Sequence, residues 1–223
     1  MNKYLTEVEQ TQLLNHIKKW ADDKAQRDYH IVSALMHSGM RIGEFLQITV
    51  ADVIDAFQSG TLYIPKEHRK GGKSDHSVYL TKSLRVDLAN LLGMRGSDEP
   101  GHYLIAGRND DMPMSARNLQ RRLQAWANDA GLRHLQVTPH FLRHTHAMNI
   151  LRSSTAKEPL RIIKAALGHR NLNTTSIYTE ASREEVQAAL DEIDQQPAKR
   201  TTISTLRQQH QARRKICKSY LSK

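Results

Sequence analysis

A single cysteine, Cys217, stands in 223 residues. That excludes an internal disulfide and any zinc or iron–sulfur cluster built on cysteines, and a reducing, cytoplasmic setting fits. No apolar run approaches the roughly 18 residues that a membrane helix needs, so a membrane is not expected as a partner. Met1-Asn2-Lys3-Tyr4-Leu5-Thr6-Glu7 contains no apolar h-region, so no secretion signal is expected. Acids are missing from one stretch altogether. From Gln195 onward there are none, against eight bases: Lys199, Arg200, Arg207, Arg213, Arg214, Lys215, Lys218 and Lys223. The whole chain carries 33 Lys and Arg against 23 Asp and Glu, a net of +10, so everything before Gln195 holds 25 bases against 23 acids and is nearly neutral. A pI near 9.8 points to a polyanionic partner, mostly through the tail. With 39% hydrophobic and 25% charged residues the rest can build a packed core, of a size for one domain plus a tail.

The elements read as mainly α with a small antiparallel β-sheet, an α+β class. Thr6 and Glu9 form a capping box, and Leu13, Leu14 and Ile17 give the following helix an apolar face. A second helix over 25–37 turns Ile31, Val32, Leu35 and Met36 inward and stops at Gly39; 41–47 is a short helix or turn. Residues 50–55, 61–65 and 77–80 carry β-branched or aromatic residues at strand-like spacing, which predicts two or three strands, with turns at Ser59-Gly60 and over 70–75. Helices are expected over 82–92, 115–130, 139–151, 159–167, 174–178 and 183–193, and a loop over 100–113. Pro197 marks the edge of the compact domain, giving a domain over 1–196 and a basic tail over 197–223 that would not fold alone.

Four segments carry the chemistry. In Ser38-Gly39-Met40-Arg41-Ile42-Gly43-Glu44 an arginine follows a glycine turn, one helical turn from a carboxylate that can hold it. Read alone, this is an ordinary surface ion pair. Gly72-Lys73-Ser74 resembles the end of a phosphate-binding loop but fails the pattern: Glu67 stands where the first glycine belongs, and no helix follows. As a hairpin tip, the loop can reach a phosphate with Lys70 or Lys73. In Pro139-His140-Phe141-Leu142-Arg143-His144-Thr145-His146, His140 and Arg143 are neighbours at i, i+3 at the positive end of a helix, a natural seat for an anion. His140 and His144 at i, i+4 lack a third ligand and a glutamate base, so no metal is expected. The fourth segment runs from Leu167-Gly168-His169 to Tyr178. Together these residues suit phosphoryl transfer. Arginines grip two phosphate oxygens; a tyrosine attacks once its charge is stabilised; a histidine takes its proton; a lysine protonates a leaving alkoxide.

In this order the motifs resemble the tyrosine recombinases, or phage-type integrases, across about residues 5–193. The matches are Ser-Gly-Met-Arg-Ile-Gly-Glu around Arg41, His-Phe-Leu-Arg-His around Arg143, and Leu-Gly-His with Tyr178 nine residues after His169. The resemblance implies a site-specific recombinase that breaks and rejoins DNA through a 3′-phosphotyrosyl intermediate, needing neither metal, cofactor nor ATP. It implies Tyr178 as nucleophile, Arg41 and Arg143 on the phosphate oxygens, and His140 on the nucleophile's proton. His169 would donate to the phosphate, Lys70 would protonate the 5′-oxygen with Lys73 the alternative, and Glu44 would buttress the site. The implied partners are double-stranded DNA and further copies, as a tetramer on two sites, with a DNA-bending or directionality factor as a further candidate.

Two features depart from the family pattern. Arg41 lies too close to Met1 to leave room for the usual N-terminal core-binding domain, so a single-domain layout similar to the fimbrial phase-switch invertases is expected, a truncated chain being the alternative. Ser153-Ser154-Thr155-Ala156-Lys157-Glu158 is longer and more polar than the usual connection. In the tail, Lys199, Arg200, Arg207, Arg213, Arg214 and Lys215 are the expected phosphate contacts. The competing readings are a type IB topoisomerase, which would relax supercoils without pairing sites, and a non-catalytic DNA-binding accessory protein of the same fold.

Overall fold

The first helix, α1 (Glu7–Lys18), starts on a complete capping box: the Glu9 carboxylate accepts from the Thr6 amide at 2.7 Å while Thr6 Oγ1 accepts from the Glu9 amide at 3.3 Å. It buries Leu13 and Ile17. The computed structural model describes residues 4–69, 71, 74–97, 99–108, 112–156 and 158–168. The helices expected over 174–178 and 183–193, and the tail, lie outside the described residues.

Helix α2 (Asp23–Ser38) is the spine, packed against α1, against α5 (Lys82–Arg95) and against α7 (Pro139–Ser153). Partners on several sides bury it on most of its circumference, including polar residues that must then find partners. Asp28 accepts from Arg122 Nε at 2.6 Å and Trp126 Nε1 at 2.8 Å, both on α6 (Ala116–Asp129). His30 and Ser33 meet Asp87 of α5, at 3.0 Å and 2.7 Å. The apolar side chains of α2, Ile31 and Leu35 among them, share one core with Leu84, Leu88 and Leu91 of α5, Leu119 and Leu123 of α6, and Leu142 of α7.

Beyond α2 come α3 (Ile42–Leu46) and α4 (Val50–Ser59). Helix α4 corrects the strand expected over 50–55. Its β-branched residues look strand-like in composition, but the buried positions of the segment, Val50, Val53 and Ala56, recur every third residue. Thr49 and Asp52 cap its start reciprocally, with Thr49 N donating to Asp52 Oδ2 at 2.8 Å. The sheet is therefore a two-stranded antiparallel hairpin, β1 (Thr61–Ile64) and β2 (His76–Tyr79), in register Thr61↔Tyr79 to Ile64↔His76. Leu62, Ile64 and Val78 face the core and Tyr63 and Tyr79 face out, as the pleat requires. Last comes α8 (Pro159–Leu167), joined to α7 by a smaller apolar cluster of Ala147, Ile163 and Leu167. Among the described residues no helix is long and apolar enough to cross a membrane.

Candidate functional site

Three helix ends converge. Gly39 closes α2 in the left-handed conformation at φ 60°, which brings Arg41 to the N-cap of α3. The Glu44 carboxylate, on the first turn of α3, accepts from the Arg41 amide at 3.0 Å and from Arg41 Nη1 at 2.8 Å. Glu44 is only 2% exposed, so this is not the solvated surface pair that the segment suggests when read alone. Burial pushes the Glu44 carboxyl up, but the Arg41 amide and guanidinium and the charge of Arg143 outweigh it and hold the carboxyl below its usual range. Glu44 is thus a fixed anion between arginines.

Arg143, one turn into α7, is 3% exposed. Its Nη1 donates to Gly39 O at 2.6 Å and its Nη2 to Leu167 O at 2.8 Å. These carbonyls end α2 and α8, where helix geometry leaves acceptors unsatisfied and the dipole is negative. One planar fork therefore ties the ends of two helices to the start of a third. His140, exposed on the first turn of α7, stacks edge-on against His144 with ring centroids 4.4 Å apart. Thr138 caps that helix through the Phe141 amide at 3.3 Å, and Pro139 opens it. The structure thus brings Arg41, Glu44 and Arg143 within one electrostatic cluster. Lys70, Lys73, His169, Tyr178 and the tail bases Lys199, Arg200, Arg207, Arg213, Arg214 and Lys215 lie outside the described residues.

Two further residues join the cluster without any sign of it in the sequence reading: Arg69 and His76. Arg69 Nε donates to Glu44 Oε1 at 3.4 Å and Arg69 Nη2 to Gly168 O at 2.8 Å. His76 Nε2 meets Ala166 O at 3.1 Å, so this nitrogen carries the proton. Burial, followed by the neighbouring charge of Arg69, pushes the His76 imidazole below its ordinary range. Three guanidiniums thus surround one carboxylate, Arg69 being committed to internal partners through all three of its nitrogens. Among the described residues no group of three or more His, Cys, Asp or Glu side chains could hold a metal ion.

Behind the cluster, His146 Nδ1 donates to Met36 O at 2.8 Å. Burial pushes its imidazole down to about 4, from an ordinary 6.5, helped by His37 and Arg143 and opposed by the Met36 carbonyl. Between those values the unfolded chain binds the proton and the folded protein does not. The contribution of neutral His146 is therefore complete above about pH 6.5 and shrinks as pH falls toward 4, by on the order of 3 kcal/mol in all. The denaturant midpoint of the wild type is expected to drop on acidification across this window, and that of His146→Gln to drop less. Parallel curves for the two proteins would contradict this.

Residues 3–185 match the family described as the phage integrase family. The chain belongs to that family. Among its relatives, the tyrosine recombinase XerA of Pyrococcus furiosus is 32% identical over 189 residues, which cover 85% of this chain and 61% of that protein. The tyrosine recombinase XerC of Neisseria gonorrhoeae is 31% identical over 172 residues, 77% of this chain and 52% of that protein. The chain therefore spans between half and two thirds of the length of these relatives. The crystal structure of XerA recombinase superimposes with a TM-score of 0.68 at 26% identity, over 88% of this chain and 66% of that one. A structure of XerH bound to its difH substrate shares the fold, with a TM-score of 0.64 at 24% identity. The mainly helical architecture with one small antiparallel sheet is thus the catalytic-domain fold of this integrase family.

Proposed function

We propose that this protein is a site-specific DNA recombinase, cutting and rejoining strands through a 3′-phosphotyrosyl intermediate. The observation that carries the proposal is the cluster of Arg41 with the buried Glu44 and Arg143, in a chain whose family and relatives are tyrosine recombinases. Arg41 and Arg143 bind the two non-bridging oxygens of the scissile phosphate and stabilise the charge that builds on them. Tyr178 Oη attacks phosphorus, its proton passing toward His140, and the bond from phosphorus to the 5′-oxygen breaks. Lys70, or Lys73 in its place, delivers a proton to that oxygen, and His169 donates a hydrogen bond to the phosphate. The phosphotyrosyl bond conserves the energy of the broken bond, so a partner strand's 5′-hydroxyl reverses the step without ATP. Glu44 fixes Arg41 and takes no part in proton transfer.

The partner is double-stranded DNA, and two sites are paired by a tetramer. An exposed cleft at the start of α6, lined by Lys24, Arg108 and Arg121, offers cations to the phosphate backbone. The basic residues after Gln196 are proposed to add phosphate contacts of their own, outside a catalytic domain spanning 1–196.

The test is trapping in cells that carry the protein's native flanking DNA, with detergent lysis and sequencing of the protein-linked ends. Adducts at a few sites, lost in Tyr178→Phe, are expected. Adducts scattered over the genome would replace the recombinase with a topoisomerase-like activity. None in either protein, with DNA binding intact, would leave an accessory binder.

A further inference from the structure

Arg69 stands immediately before the hairpin tip that holds Lys70 and Lys73 in the sequence, yet its side chain is only 7% exposed. A solvated turn would leave such a residue in water. Instead, each side of its guanidinium is committed to a different part of the molecule. Nη1 donates across the tip to Ser74 O at 2.7 Å and Asp75 O at 3.2 Å. Nε reaches Glu44 Oε1 at 3.4 Å, the same oxygen that Arg41 holds at 2.8 Å. Nη2 donates to Gly168 O at 2.8 Å, the carbonyl that caps α8. The approach at α8 is close. A β-carbon on Gly168 would lie 2.6 Å from Arg69 Nη2 and 2.8 Å from His76 Nδ1, at a φ of +62° that favours glycine.

The end of α8 is thus held at three successive carbonyls by three side chains from elsewhere: Ala166 O by His76, Leu167 O by Arg143 and Gly168 O by Arg69. Two of the three come from the hairpin. The next residue in the chain is His169, and Tyr178 follows nine later. A residue that clamps both sides of the hairpin tip, the Arg41–Glu44 pair and the peptide before His169 fixes where all of these begin.

We propose that Arg69 is a positioning residue for strand cleavage, tying the hairpin and the end of α8 to the Arg41–Glu44 pair. This rests on the cleavage reading above. The planar fork matters: five N–H donors at fixed angles can serve three directions at once, whereas an ammonium serves one compact point. Loss of the tie lets the reacting groups drift, and misplacement by about 1 Å costs on the order of 100-fold in rate.

The experiment compares wild type, Arg69→Ala and Arg69→Lys, as full-length proteins. The probe is a nicked duplex of the sequence recovered by adduct trapping, with single-turnover adduct formation and DNA affinity measured separately. Hydrogen–deuterium exchange of the α8 and hairpin peptides is followed without DNA. Arg69→Ala is expected to bind DNA within about twofold of wild type, to form adduct about 100-fold more slowly, and to exchange faster at the end of α8. Arg69→Lys should fall between the two in rate, and guanidinium ion at sub-denaturing concentration should restore rate to the alanine variant where ammonium does not. Wild-type adduct rates in Arg69→Ala would overturn the proposal, as would equal losses of binding and cleavage in both variants or unchanged exchange in α8. A wild-type protein that forms no adduct on any DNA would overturn the cleavage reading instead, and the exchange measurement would still judge the tie.

Discussion

Arg143→Ala is expected to lower both the stability of the fold and the rate of strand cleavage, each by a large factor. The side chain is buried, and its two terminal nitrogens donate to carbonyls at the ends of α2 and α8. Truncation leaves those carbonyls without these donors, at about 1–3 kcal/mol each, and leaves a void besides. A loss of roughly 3–6 kcal/mol is expected, a large share of what holds a domain together. Loss of one preorganised donor to the transition state adds a factor of about 100 to 1,000 in rate. Arg143→Lys separates the two effects. It keeps the charge but not the fork, so denaturant unfolding should show a smaller loss of stability while adduct formation stays severely slow. A denaturant midpoint for Arg143→Ala equal to that of wild type would show that the two carbonyl contacts carry no stability.

Gly39→Ala should be nearly as damaging, although it adds one methyl group. The residue sits at φ +60°, where an L side chain costs roughly 1–2 kcal/mol. Its β-carbon would lie 2.6 Å from His146 Cδ2 and 2.7 Å from Leu167 Cδ2. Leu167 can yield a little at its tip, but the His146 ring is held by its hydrogen bond to Met36 O. Overpacking of this kind adds about 1–3 kcal/mol. Relief moves Gly39 O, which is one of the two carbonyls that hold Arg143, so cleavage should suffer beyond the stability loss. Gly60→Ala serves as the control: φ is +77°, but nothing lies within 4 Å of the added carbon, so only the backbone cost should appear. Equal unfolding midpoints for the two variants would contradict the steric argument.

The helical frame is legible in the sequence because its signals are local. Thr6 with Glu9, Gly39, Ser115 and Pro139 mark helix ends by their own chemistry, and the structure has helices that start or stop there. Residues 50–55 mislead because Val and Ile suggest a strand by type, while the deciding features are spacing by threes and the reciprocal Thr49–Asp52 cap. The site is legible in part for a similar reason. Arg41 and Glu44 are one helical turn apart, and an i, i+3 pair can be seen without a fold. What the segment could not show is that Glu44 is buried. Arg69 and His76 were missed because their partners, Gly168 and Ala166, are 99 and 90 residues away in sequence. Only the packing of α8 against the hairpin creates those contacts.

Covalent joining of a tyrosine of this chain to DNA is the step on which the proposed recombinase stands or falls. Purified protein incubated with the trapped DNA sequence, quenched in detergent, digested with nuclease and protease, and analysed by mass spectrometry reads this directly. A nucleotide remnant is expected on the peptide containing Tyr178, absent in Tyr178→Phe and strongly reduced in Arg41→Ala and Arg143→Lys. A remnant on any of the other six tyrosines, or one that persists in Tyr178→Phe, would contradict it.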